Sequence, residues 1–257
     1  MTINSIAQNQ MSTAMMRVAS GNRINSAADD AAGLAIVEDM NAQIRGLDQG
    51  TANTADMQSL IRTAEGGLDT ISDSVQRARE LSVQAQNGTL TDSQRAMIQE
   101  EIGQLAQGVQ SATNGTEFNS MQLLDGSVEG ANTASGADGT GAIFSINDMS
   151  GIAQAMTSIA EDGSFDLNAL DNALTQVSAE RANLGALSNT MDFTMSANSV
   201  SSLNLADSRS RIADADIARE MMAVQQERVI NEMQVMLQQQ EQNRVEDNAQ
   251  RVLSTGA

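Results

Sequence analysis

Along most of this 257-residue chain, apolar side chains recur at steps of three and four. Val37, Met40, Ile44 and Leu47 form one such run, and Ile61, Ala64, Leu68, Ile71, Val75 and Ala78 form another. A stripe of this period predicts one helix from about Ala31 to Gln86. At ~1.5 Å per residue it would run roughly 80 Å, too long for one side of an ordinary globule. Gly66, Gly67 and the Thr-rich stretch near Thr51 are expected to weaken it locally. Asn87 and Gly88 are expected to stop it, with Gly88 as a left-handed C-cap. Thr91 to Gln94 then fits a capping box. The helix it opens carries Ile98, Ile102, Leu105, Val109 and Ala112 on one stripe, and the short turn makes it an antiparallel neighbour of the first.

From Asn114 to Ser150 the pattern changes. Gly115, Gly126, Gly130, Gly136, Gly139 and Gly141 punctuate a polar stretch in which Ile143, Phe144 and Ile146 stand out. Loops with one or two short strands are expected there. Helix resumes after Phe165 with Leu167, Leu170, Leu174, Val177, Arg181, Leu184, Ser188, Met191 and Met195, where Arg181 and Ser188 are polar interruptions. The pattern continues more loosely through Leu203, Leu205, Ile212, Ile217, Met221 and Val224. The Gln- and Glu-rich tail keeps an apolar edge at Val229, Met233, Met236 and Leu237. Stripes at both ends need a surface to bury against, so the N- and C-terminal segments are expected to pair. The fold class predicted is all-α: a long antiparallel coiled-coil or helical rod pairing the terminal segments, with a short β-hairpin or loop region in the middle.

Composition narrows the function. Aromatic residues make up 2% of the chain, and Trp, Tyr, His, Cys and Pro are absent. Ala, Leu, Ile, Val and Met must fill the interior, which suits thin helix–helix seams. Without His or Cys the common catalytic dyads and triads cannot be built, and no Gly motif for cradling phosphate is present. An enzyme is therefore not expected, and no cofactor or metal. The net charge is −19, with Arg as the only cationic side chain, which opposes binding to nucleic acid or anionic membranes. No apolar run reaches the ~18 residues of a membrane span, and the first residues do not read as a cleavable secretory signal.

Several blocks carry a family resemblance: SGNRIN at 20–25, AADDAAGLAI at 27–36, QIRGL at 43–47, TAEGGL at 63–68, QRAREL at 76–81, TEFN at 116–119, LLDG at 123–126, ANLGA at 182–186 and SRSRIADAD at 208–216. In this order they closely resemble the bacterial flagellin family, in a short form with nearly no variable outer domain. The resemblance implies inner terminal helices at 1–28 and 221–257 that form a coiled coil on assembly. It implies an outer helical rod at 29–127 and 151–220, with 128–150 a Gly-rich loop or short β region replacing the variable domain. It further implies a secreted subunit of the extracellular bacterial flagellum, polymerising with copies of itself. The partners implied are the flagellar type III export apparatus, an export chaperone on the C-terminal helix, hook-associated proteins and Toll-like receptor 5. The segment before Ser20 is shorter than usual for the family and the tail lacks its Ala-Gln-Ala-Asn run. An alternative is therefore a flagellin-like junction or secreted coiled-coil protein that does not polymerise.

Two residue groups are singled out. Arg77, Glu80, Leu81 and Gln84 share one helix face with spacings of three and four. Antiparallel packing would bring Ile98 and Glu101 beside them. With Gln76, the resemblance makes these seven the receptor-binding residues; otherwise they form an ordinary Arg–Glu face. Arg23, Asp29 and Asp30 form an expected ion-pair knot or helix cap, as do Arg209, Arg211, Asp214 and Asp216, and both clusters are candidates for subunit assembly. The paired methionines Met15, Met16, Met221 and Met222 are expected in the inner seam.

Overall fold

The computed structural model describes the backbone of residues 2–255, with side-chain surroundings for 11–246 and 248. Among these residues run α1 (Thr2–Ser20), α2 (Ala31–Ala85), α3 (Asp92–Gly115), β1 (Glu117–Phe118), β2 (Met121–Gln122), β3 (Ala131–Ala134), β4 (Gly141–Phe144), α4 (Ser150–Asp162), α5 (Leu167–Ala213) and α6 (Ile217–Thr255). Long helices dominate and two small hairpins sit mid-chain, the all-α class that the apolar period predicts. The chain divides into two compact units, residues 1–42 with 203–257, and residues 43–202.

In the first unit α1 packs against α6, so the terminal helices pair as the stripes at both ends require. The linkers beside them pair as well. Asn22 and Asp214 form an isolated antiparallel bridge. The Arg23 amide donates to Ala213 O at 2.5 Å, and the Ala215 amide to Gly21 O at 2.9 Å. The loose stripe running past Ile212 does not mark one continuous helix: the chain leaves helix at Asp214 to Asp216. The Asp216 carboxylate accepts the Arg219 amide at 3.2 Å and so opens α6.

In the second unit α2 and α5 run antiparallel. The register is fixed by Ser202 donating to Asp48 at 3.1 Å, Gln58 donating to Asp192, and ion pairs Asp69–Arg181 at 2.8 Å and Arg79–Asp171 at 2.6 Å. Ile61, Ala64, Leu68, Ile71, Val75 and Ala78 are all buried, as their stripe predicts. Helix α3 opens on the expected capping box at Thr91 and Gln94. It packs against α4, a helix that the apolar pattern, with helix expected to resume only after Phe165, does not predict, although the resemblance implies outer rod from 151 onward. Ile152, Ala153, Met156 and Ile159 bury that helix's apolar face.

Three local expectations are corrected. Gly88 is not left-handed, since the glycines with positive φ are Gly21, Gly126, Gly130, Gly139 and Gly163. Asn87 makes the stop instead: its Oδ1 accepts the Thr89 amide at 3.1 Å and the Thr89 hydroxyl at 3.0 Å. Gly66, Gly67 and the Thr-rich stretch near Thr51 do not interrupt α2, and Gly50 and Gly67 instead admit other segments. A Cβ on Gly50 would stand 2.1 Å from Ser135 O, and one on Gly67 2.3 Å from Thr116 Oγ1. The tip of the β3–β4 hairpin lies against α2 at that bare patch. Asn53 and Asn198 hold it by donating to Ala134 O at 2.7 Å and Ser135 O at 2.8 Å. Lastly, the α5 stripe passes through Glu180, not Arg181. Glu180 is 1% exposed and its Oε2 accepts from Asn147 Nδ2 at 2.5 Å, while Arg181 points outward to Asp69.

Candidate interaction surfaces

Arg77 lies at the centre of the first surface. Helical spacing puts Glu80 one turn along α2, and the antiparallel α3 brings Glu101 across. The guanidinium donates through Nε at 3.1 Å and Nη2 at 2.8 Å to Glu101 Oε1, and through Nη1 at 3.2 Å to Glu80. These bonds, Glu101's foremost, push the Arg77 pKa above its ordinary value. The group stays half exposed, at 51% for Arg77 and 45% for Glu101, so it is held in one geometry yet reachable. Gln76 and Gln84 are exposed on the same helix. Leu81 and Ile98 are not on this surface. They are 2% and 7% exposed and belong to the hydrophobic core, because each continues the apolar stripe of its own helix. The reachable patch is therefore Gln76, Arg77, Glu80, Gln84 and Glu101. Arg79 and Asp171 form a second exposed ion pair, between α2 and α5, which the apolar pattern does not mark.

The second surface lies around the paired linkers of the first unit. Asp29 accepts the amides of Asn25 at 3.2 Å and Ser26 at 3.0 Å and the Ser26 hydroxyl at 3.0 Å. Asp30 caps α2 by accepting the Gly33 amide at 2.8 Å. The expected partnership of Arg23 with these aspartates is not what forms. Arg23 donates to Ile212 O at 2.6 Å, and Arg17 approaches Asp29 at 3.7 Å and Glu220 at 3.6 Å. Nor do Arg209 and Arg211 pair with Asp214 and Asp216. Arg209 donates to Asn41 at 3.0 Å, Arg211 pairs with Asp207 at 2.6 Å, and Asp214 accepts from the Ser210 hydroxyl at 2.5 Å. Arg23 thus reaches the last turn of α5, Arg209 reaches Asn41 on α2, and only Arg211 finds its carboxylate on its own helix. A spacing of four, as in Asp207–Arg211, is the readable signal for such a pair.

The third surface is apolar. On α6, Met221, Met222, Val229, Met233, Val235, Met236, Leu237 and Val245 are all exposed, as are Met15 and Met16 on α1. Pairing of α1 with α6 thus leaves apolar side chains uncovered. Met233, Met236, Leu237 and Gln240 line a shallow depression there. Among the described residues, no group of acidic side chains is arranged to hold a metal, and no helix is long and apolar enough to cross a membrane.

Polar side chains here serve caps, linkers and inter-helix pairs, while a row of large apolar ones stays open on a terminal helix. That combination defines a helical protein with an apolar surface open to interaction. The family model described as the bacterial flagellin N-terminal helical region matches residues 1–129, and that of the bacterial flagellin C-terminal helical region matches 167–253. A flagellin of Halalkalibacterium halodurans is 40% identical over 245 residues, covering 91% of this chain and 89% of that protein. A flagellin of Bacillus subtilis is 37% identical, covering 94% of this chain and 93% of its own length. A putative flagellar hook-associated protein from Vibrio parahaemolyticus shares the fold at a TM-score of 0.56 and 19% identity, over 72% of this chain and all of that one. The chain belongs to the bacterial flagellin family, as a short form. It is a structural subunit of the extracellular flagellar filament and not an enzyme.

Proposed function

We propose that this flagellin is also a ligand of Toll-like receptor 5, contacted through Gln76, Arg77, Glu80, Gln84 and Glu101. The observation carrying this reading is the fork of Arg77 between Glu101 and Glu80 on an exposed helix face. A guanidinium already oriented by two carboxylates loses little freedom on binding and presents a fixed planar donor set. Leu81 and Ile98 support the patch from beneath without touching a partner. In a receptor-reporter cell assay, Arg77→Ala should lower potency at least about tenfold, the scale of one interfacial anchor. Equal signalling by parent and variant, both verified as folded by circular dichroism, would overturn the reading.

The same proposal covers the finer steps of assembly. Inner terminal helices at 1–28 and 221–257 would lock copies together through the exposed apolar row of α6, with 29–127 and 151–220 building the outer rod. Arg23 and Asp214 would contribute where the two segments meet, Asp29, Asp30 and Asp216 by holding their own turns and helix starts, and Arg209 and Arg211 through Asn41 and Asp207. Before assembly, an export chaperone would cover the α6 row, the type III export apparatus would carry the chain, and hook-associated proteins would join it at the filament ends.

A further inference from the structure

The dipeptide Asn-Gly occurs twice, at Asn87-Gly88 and at Asn114-Gly115, in opposite settings. Asn114 lies inside α3, where helical backbone angles hold the next amide nitrogen away from the side-chain carbon, and its Oδ1 accepts from Gln110 at 3.2 Å. Asn87 lies in the exposed turn between α2 and α3, outside either helix, at the first position of a turn closed by the Leu90 amide on Asn87 O at 3.2 Å. Its side-chain Oδ1 receives two donors from one residue, the Thr89 amide at 3.1 Å and hydroxyl at 3.0 Å. Gly88 presents no Cβ to obstruct approach to the Asn87 carboxamide.

We propose that Asn87 is a self-modifying site, converting without an enzyme to aspartate and isoaspartate, while Asn114 persists as asparagine. The Gly88 amide nitrogen attacks Asn87 Cγ and forms the new C–N bond. Negative charge develops on Oδ1, where both Thr89 donors already point, the arrangement that stabilises an oxyanion. The proton from the Gly88 nitrogen passes to the side-chain nitrogen, the Cγ–Nδ2 bond breaks and ammonia leaves. Water then opens the five-membered imide at either carbonyl. One opening gives aspartate, and the other gives isoaspartate with an extra methylene in the main chain. Both place a new carboxylate three residues past Gln84, in the turn that Arg95 spans by donating to Ala85 O at 3.3 Å and Leu90 O at 3.2 Å. The converted fraction grows with the age of each subunit.

The test is incubation of the purified full chain in mildly alkaline buffer, with peptide mapping by mass spectrometry that separates aspartate from isoaspartate. Asn87 should convert at least about tenfold faster than Asn114, equivalent to roughly 1.4 kcal/mol of barrier. Gly88→Ala should slow conversion at Asn87 by about tenfold or more, on the same scale. This variant keeps the fold, since a Cβ there meets nothing within 4 Å. Thr89→Val removes the hydroxyl donor alone and should slow conversion severalfold. Equal rates at the two sites, or a Gly88→Ala chain that converts as fast as the parent, would overturn the assignment.

Discussion

Asp29 shows how a single carboxylate organises a linker with little help from opposite charge. The Asn25 amide lowers its pKa most, followed by the Ser26 hydroxyl and amide; Arg17 adds a smaller attraction. Each of these bonds is made to the ionised form, so the folded chain binds this proton less readily than the unfolded chain does. The stabilisation is therefore complete above the ordinary value of 3.8 and disappears as pH falls through the lower, folded value. Urea unfolding followed by circular dichroism should show parent stability declining below pH about 4, where exposed carboxylates protonate. Asp29→Asn should be less stable than the parent at neutral pH and converge with it as acid is added. Asp125 and Asp138, lowered chiefly by hydrogen bonds from Ser127 and Thr140, continue to respond to acid in both proteins. A gap between the two chains that stays constant down to strong acid would show that Asp29 acts through its shape alone.

Among elements, α2 owes its role to where it lacks side chains. Gly50 and Gly66 both lie inside the same helix, but Gly50 is buried under the hairpin tip and Gly66 faces open space. Gly50→Ala should destabilise the fold by about 1–3 kcal/mol, the cost of overpacking, because Ser135 and its Asn198 contact must move. Gly66→Ala should stabilise it by roughly 0.5–1 kcal/mol, since the helix gains propensity and meets nothing. Paired denaturant titrations decide the matter, and shifts of the same sign would refute the reading. The contrast also shows what a linear pattern can carry. The period of three and four located α2, α3, most of α5 and the core residues from Ile61 to Ala78. It equally held the inward direction of Leu81 and Ile98, one step along their stripes, which the receptor resemblance pulled to the surface. It could not show that a hairpin eighty residues onward would seat on Gly50, because that contact depends on tertiary approach. Nor could it show that polar Glu180 would take the inward place beside Val177, since burial of a carboxylate depends on Asn147 reaching it from a distant loop.

For the whole molecule, the unfinished feature is the apolar row on α6. Val229, Met233, Met236 and Leu237 stay exposed although α1 already packs on that helix, so one copy of the chain does not satisfy its own sequence. Filament membership accounts for this, because each further copy can bury what a single chain leaves open. Full burial of one such side chain stabilises by about 1.5–3 kcal/mol, and a polymer repeats the gain at every subunit. Met233 and Leu237 share one face, four residues apart, at 56% and 59% exposure. Replacing both with Gln keeps helix propensity and leaves residues 43–202 untouched, so the monomer should fold as the parent does. The doubly substituted chain should nevertheless form no long filaments in electron micrographs taken under conditions where the parent does. Parent and variant filaments of equal length would mean that copies meet elsewhere. If the parent itself remained in short oligomers, the α6 row would instead belong to an unlike partner, as the junction alternative requires.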